Sequence, residues 1–122
     1  MTIRLKRVYE PRSDGDGYRV LVDRLWPRGL TKDAANIDLW LRDIAPSTDL
    51  RTWYGHELAR WPEFQQRYEQ ELLERGQLLD LLRDIEQHNE LVTLLFAARD
   101  QDHNEANVLA DALARWPRHV HH

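Results

Sequence analysis

The sequence predicts an α/β fold, a small and mostly parallel sheet of about four strands covered by helices, in a single domain. Three observations carry this. Residues 91–97 (Leu91-Val92-Thr93-Leu94-Leu95-Phe96-Ala97) form an apolar run of strand length, as expected of a strand buried on both faces. The run gives way to Arg99-Asp100-Gln101-Asp102-His103-Asn104 and then to an amphipathic helical pattern. Strand, polar turn, helix is how an open α/β sheet builds a site at the carboxyl ends of its strands. Finally, 122 residues suffice for one core and not for two.

The elements follow in order. Ile3 and Leu5 alternate with Arg4 and Lys6, the pattern of a strand with one wetter face. Residues 10–17 carry Pro11, Gly15 and Gly17 and read as a loop. Val20, Leu21 and Val22 form a second buried strand within residues 18–26, ended by Pro27, which has no N–H for a ladder. Thr31 caps a short turn through Ala35. Residues 37–41 alternate at period two and form the third strand. Ser47 is the N-cap of a helix running to Trp53 or Tyr54 and closed by Gly55.

Trp61-Pro62 opens a longer helix, with proline in the first turn, and Trp61, Phe64, Tyr68 and Leu72 face the core. Gly76 is expected to stop it. A further helix carries Leu78, Leu79, Leu81, Leu82 and Ile85 to about His88-Asn89. The last helix, from about His103, places Ala106, Leu109, Ala110 and Leu113 on one face and ends at Trp116-Pro117. The order β–β–β–α–α–α–β–α leaves open whether the first two strands pair as a hairpin or cross over. Trp-Pro recurs at residues 26, 61 and 116, but the flanks do not match and no internal repeat is read.

Composition narrows the function classes. The net charge of -4 and the lack of a basic helix argue against nucleic-acid binding. The charge is uneven: residues 1–30 carry a net of +3 and the remainder -7, a weak positive focus that favours an anionic ligand. The chain has no Cys, which excludes a disulfide, a thiol nucleophile and a thiolate metal site. No run approaches the roughly 20 apolar residues of a membrane span, and no signal peptide is visible. A cytoplasmic protein without membrane contact is expected. No His-x-x-x-His pair, Gly-rich phosphate loop or Gly-x-Ser-x-Gly occurs, so neither a metal nor a cofactor is implied. The tail His119-Val120-His121-His122 is not read as a metal site.

Three strand ends bear polar groups that a core would not choose. They are Asp23, Arg24 and Arg28 after the second strand, Arg42, Asp43 and Ser47 after the third, and Arg99, Asp100, Asp102, His103 and Asn104 after the fourth. In a parallel sheet these ends meet at one edge. Arg24, Arg28 and Arg99 offer planar forks for phosphate or carboxylate, and the last helix adds backbone donors at its N-terminus. Asp23, Asp43 or Asp100 serves as a general base or orients the arginines, and His103 is either a capping element of the last helix or an acid/base group. His56, in a loop after Trp53-Tyr54-Gly55, reaches the same edge, and Ser47 and Asn104 complete the ligand-binding set. Arg–Asp pairing that merely ties loops together fits the same residues.

Several segments together resemble the YeaO-like branch of the bacterial domain-of-unknown-function family 488. They are residues 19–29 (Arg-Val-Leu-Val-Asp-Arg-Leu-Trp-Pro-Arg-Gly), residues 39–47 (Leu-Trp-Leu-Arg-Asp-Ile-Ala-Pro-Ser), residues 53–56 (Trp-Tyr-Gly-His), Ala97-Ala98-Arg99-Asp100 and His103-Asn104. The resemblance covers nearly the whole chain and implies a small cytoplasmic α/β protein, without naming a reaction. Other branches look like Leu-Leu-Cys-Ala-Glu followed by Cys-His-Arg at the last strand–helix turn. Here Phe96 and Ala98 replace that Cys and Glu, and Asn104, Glu105 and Ala106 replace Cys-His-Arg. A thiol mechanism therefore does not carry over. The expectation is a site for an anionic small molecule, phosphorylated or nucleotide-like, at the carboxyl edge of the sheet, with catalysis left open. The alternative is a non-catalytic interaction protein that uses a Trp/Arg-rich surface.

Overall fold

The fold, described over residues 2–116 of a computed structural model, is built on four strands: β1 (Thr2–Arg7), β2 (Tyr18–Leu21), β3 (Leu39–Trp40) and β4 (Leu91–Phe96). Five α-helices accompany them: α1 (Lys32–Ala35), α2 (Thr48–Tyr54), α3 (Trp61–Leu73), α4 (Gly76–His88) and α5 (Glu105–Arg115). The tail at 117–122 lies outside the described residues.

The strands form one parallel sheet in the order β1-β4-β2-β3. The apolar run at 91–96 is thus an interior strand, between β1 and β2, and this explains its composition. Val92, Leu94 and Phe96 point into the larger core with Phe64, Tyr68, Leu72, Leu79, Leu82 and Leu109. Leu95 points to the opposite face, where Val8 and Leu21 meet Trp26, Leu30, Ile37 and Trp40. Leu94 and Leu95 are both fully buried. β1 and β2 do not pair with each other; each lies parallel to β4 on opposite sides, so the connection between them is a crossover.

Local signals behave as the side-chain chemistry dictates. The Thr31 hydroxyl accepts from the Ala34 N–H, the Ser47 hydroxyl from the Leu50 N–H, and Gly55 closes α2 in the left-handed region. Two boundaries differ from expectation. Gly76 begins α4 rather than ending α3, because α3 has already stopped at Leu73 and a Cβ at residue 76 would press on the Trp116 ring. β3 holds only Leu39 and Trp40, since Asp38 turns its carboxylate to the Arg19 N–H instead of continuing the strand pattern.

One buried charge was not evident from the periodicity. Arg19, on β2, is fully buried on the same face as Leu21. Its guanidinium donates to the carbonyls of Ala35 and Asn36 at 2.8 Å each and to Asp16 Oδ2 at 2.6 Å. Asp16 also accepts from Lys6 and from the Ser13 N–H and hydroxyl. Burial by itself would raise the Asp16 carboxyl, but these donors outweigh it and hold the group well below the usual carboxylate range.

Leu94→Ala should cost about 2–5 kcal/mol in chemical denaturation, as for a cavity opened in a packed core; a near-neutral result is incompatible with an interior strand. Asp16 supplies a pH test. A carboxyl lowered on folding stabilises the native state above its unfolded value, about 3.9, and that stabilisation is lost as pH falls further. Asp16→Asn should therefore unfold at lower urea than wild type at pH 7, and the difference should shrink on titration to pH 3 and below.

Candidate functional site

The β2–β4 seam continues past the ends of its strands. Val22 N–H donates to Leu95 O at 3.1 Å, and one residue on, Asp23 Oδ2 accepts from the Ala97 N–H at 2.9 Å. Beyond this clamp lies a cavity of about 570 Å³, within the range of small-molecule sites. Its walls come from residues 23–28, Ala45-Pro46, the end of α2 with His56, Phe64 of α3, Ala97-Ala98, and His103, Asn104 and Glu105 at the start of α5.

The segment after β2 is held on several sides. Trp40 Nε1 donates to Asp23 O, Trp26 Nε1 to Leu30 O, and the Tyr9 hydroxyl to Arg28 O. Leu30 N–H returns to Pro27 O across a turn whose third residue, Gly29, has φ +83°, a conformation that favours glycine. The loop thus presents Arg24 and Arg28 from a fixed frame. Arg24 donates to the carbonyls of Ala45 and Pro46, both at 3.2 Å, so its fork holds the neighbouring wall. The Arg28 side chain is exposed and makes no hydrogen bond to the described residues. The same holds for Arg51 of α2, across the cavity. His56 follows Gly55 with φ +60°, an uncommon value for a residue with a Cβ. That geometry turns the chain at the wall beside Tyr54, whose ring stacks on Phe64 at 4.5 Å.

The turn after β4 is ordered by Asp100. Its Oδ1 accepts from the N–H groups of Asp102 and His103, and its carboxylate meets His103 Nδ1 at 3.1 Å. The Asp102 N–H leads in holding Asp100 below its usual range; burial opposes it, and His103 adds to the lowering. His103 packs edge-on against Trp61 at 5.2 Å, and its carbonyl accepts from the Tyr54 hydroxyl. Asn104, buried, caps α5: Oδ1 accepts from Ala106 N–H and Asn107 N–H, Nδ2 donates to Asp100 O, and Asn107 Oδ1 answers with a bond to Asn104 N–H. Helix α5 begins at Glu105, not His103, and its leading donors are already taken by this cap. The expectation of free backbone donors at the helix start is corrected accordingly.

Glu105 retains partial exposure as a residue, while its carboxyl lies deep among its neighbours and within hydrogen-bonding reach of Asp23. Burial and the Asp23 carboxylate together push Glu105 well above the ordinary glutamate value, and Arg51 opposes them.

Of the residues singled out from sequence, the fold brings Asp23, Arg24, Arg28, His56, His103 and Asn104 to one cavity. Arg99, Asp43, Asp100 and Ser47 do not line it. Arg99 and Asp43 are exposed. Asp100 is spent on its own turn, and the Ser47 hydroxyl donates to Glu71 while capping α2. The β3 exit does reach the cavity, but through Ala45 and Pro46: Asp43 lies in the preceding turn on the exposed surface, and Ser47 is taken up by the start of α2. Sequence reasoning missed Arg51 and Glu105. An acidic residue in a first helical turn is ordinary dipole complementation, and an arginine inside a short helix looks like surface. The one available signal was position, since Glu105 directly follows the predicted strand–helix turn.

Asn104→Ala should lower stability by about 1 kcal/mol, the usual value of an N-cap side chain, or more because two helix donors lose their acceptor together. Urea denaturation measures it, and an unchanged midpoint would mean that the cap does not hold this turn.

Comparison with known proteins places these features in a family. Over residues 2–120 the chain matches the family described as the inactive DUF488-N3 subclade. It is 44% identical over 113 residues to the uncharacterized protein YeaO of Escherichia coli (strain K12), spanning 93% of this chain and 97% of that one. It is 41% identical over 111 residues to the uncharacterized proteins Mb3100c of Mycobacterium bovis and Rv3073c of Mycobacterium tuberculosis, spanning 91% of this chain and 92% of each. No solved structure matches at a significant level. The match across nearly the full length, together with relatives above 40% identity, shows that the chain belongs to the DUF488 family, as a YeaO-like member.

Proposed function

We propose that the cavity at the carboxyl edge of the sheet binds a small anionic molecule, phosphorylated or nucleotide-like, and binds it without turnover. The carrying observation is the balance of charge in its wall. Three guanidinium groups line it, those of Arg24, Arg28 and Arg51, and two of them have no hydrogen-bond partner among the described residues. Guanidinium forks suit oxyanions, and the unpaired forks of Arg28 and Arg51 belong to residues that line one concave, partly apolar space. Trp26, Tyr54 and Phe64 in the same wall suit a flat ligand body. Two facts support binding over catalysis. The matched subclade is described as inactive, and the chain has no thiol to act as nucleophile.

A thermal-shift titration tests this, with sulfate, phosphate and a nucleoside monophosphate at millimolar concentration. A gain of roughly 1–3 kcal/mol is expected where ligand exceeds its Kd by about ten- to a hundredfold. Arg28→Ala and Arg51→Ala should each abolish the gain and stay folded, while Arg99→Ala should leave it unchanged. Matched chloride controls remove the general stabilisation that sulfate and phosphate give by surface exclusion. Equal shifts in wild type, Arg28→Ala and Arg51→Ala would reject the anion site and put the interaction-protein reading ahead of it.

A further inference from the structure

Asp23 uses only one of its carboxylate oxygens in the seam. Oδ2 takes the Ala97 N–H, but Oδ1 is buried and receives no N–H or hydroxyl from the described residues. The group within reach is the Glu105 carboxyl, on the first residue of α5. A buried carboxylate oxygen without a donor is costly, and two charged carboxylates in contact repel strongly. A single proton between them removes both costs, with the Glu105 O–H donating to Asp23.

We infer that the Asp23–Glu105 carboxyl pair is a recognition element of this cavity, admitting an anion while it holds one proton and repelling it once both groups are charged. The inference rests on the anion-site reading above and adds a proton to it. The groups around Glu105 come from each neighbouring element: Asp23 after β2, Arg51 from α2, Tyr68 from α3 and His103 before α5. Tyr54 and His56 lie on the α2 side of the same wall, and Arg24 and Arg28 on the β2 side. With the pair singly protonated, three guanidinium charges face one carboxylate; with the proton gone they face two, and a bound oxyanion meets a second like charge. Burial and the neighbouring carboxylate keep that proton on Glu105 to higher pH than an ordinary glutamate would.

Sulfate is the probe, because its charge is fixed across the range. Its affinity is measured by calorimetry from pH 5 to pH 9 at constant ionic strength, for wild type and for Glu105→Gln, which is neutral at every pH. The two proteins should bind alike at the acid end. At the alkaline end wild type should be weaker than Glu105→Gln by on the order of tenfold, the effect of one nearby unit charge in a partly screened site. The two proteins are otherwise identical, so the difference between their profiles isolates the carboxyl. Parallel profiles overturn the inference and leave the anion site standing. No sulfate binding at any pH, or binding indifferent to Arg28→Ala, overturns the anion site and the inference with it. A ligand-free measurement guards against a misfolded variant. Infrared spectra of wild type, ¹³C-labelled at the glutamate carboxyls, should keep a protonated-carboxyl band above the ordinary glutamate range, and its absence overturns the inference.

Discussion

The site hangs on the parallel seam between β2 and β4. Parallel pairing brings both carboxyl ends out at one edge, and the seam runs on through Val22 N–H to Leu95 O and Asp23 Oδ2 to Ala97 N–H. Two walls of the cavity are positioned from there. The β2 exit carries Arg24 and Arg28, the β4 exit carries the turn into α5, and Arg7 locks that exit by donating to the carbonyls of Ala97 and Ala98. A parallel sheet must be covered on both faces. Here the larger helical layer lies on the Leu94 side, and the smaller layer on the Leu95 side is built from Trp26, Leu30, Ile37 and Trp40. The smaller layer is partly made of the loop that walls the cavity, so the packing of that face and the shape of the site are one problem.

The arginines divide by what they touch. Arg19, Arg7 and Arg24 donate to backbone carbonyls, and so tie segments together at points where no helix or strand supplies a donor. This is the structural use of a planar, permanently charged fork. Arg28 and Arg51 are different: they stand in the cavity wall without such partners. Sequence alone grouped Arg24 with Arg28 and passed over Arg51. The separation between binding and bracing arises because a carbonyl within reach neutralises the need for an external anion, and only tertiary packing decides which carbonyls are in reach.

Phe96, at the end of β4, is buried in the larger core and closes the apolar run at the point where the chain turns polar. The residues that follow are likewise built for order. Asp100 and Asn104 spend their side chains on the turn and the cap, and His103 is wedged between Asp100 and Trp61. A turn so fully occupied with its own hydrogen bonds holds a shape well.

Sequence by itself determined the interior strand, because an apolar run of strand length has no stable place except between two neighbours. It also determined the helical faces of α3, α4 and α5 and the caps at Thr31, Ser47 and Gly55, which depend on side chains a few residues away. From the strand ends and the loop after α2 it singled out Asp23, Arg24, Arg28, His56, His103 and Asn104, which line one cavity, together with Arg99, Asp43, Asp100 and Ser47, which do not. Tertiary structure alone decided that β1 and β2 flank β4, that β3 shrinks to two residues, and that Arg99 and Asp43 are exposed and do not line the cavity. It alone joined Glu105 to Asp23, across more than eighty residues of chain. The reason is common to all of these. Periodicity and capping are local and written in neighbouring residues, whereas which carboxyl meets which, and which guanidinium finds a carbonyl, depends on register between segments far apart in sequence.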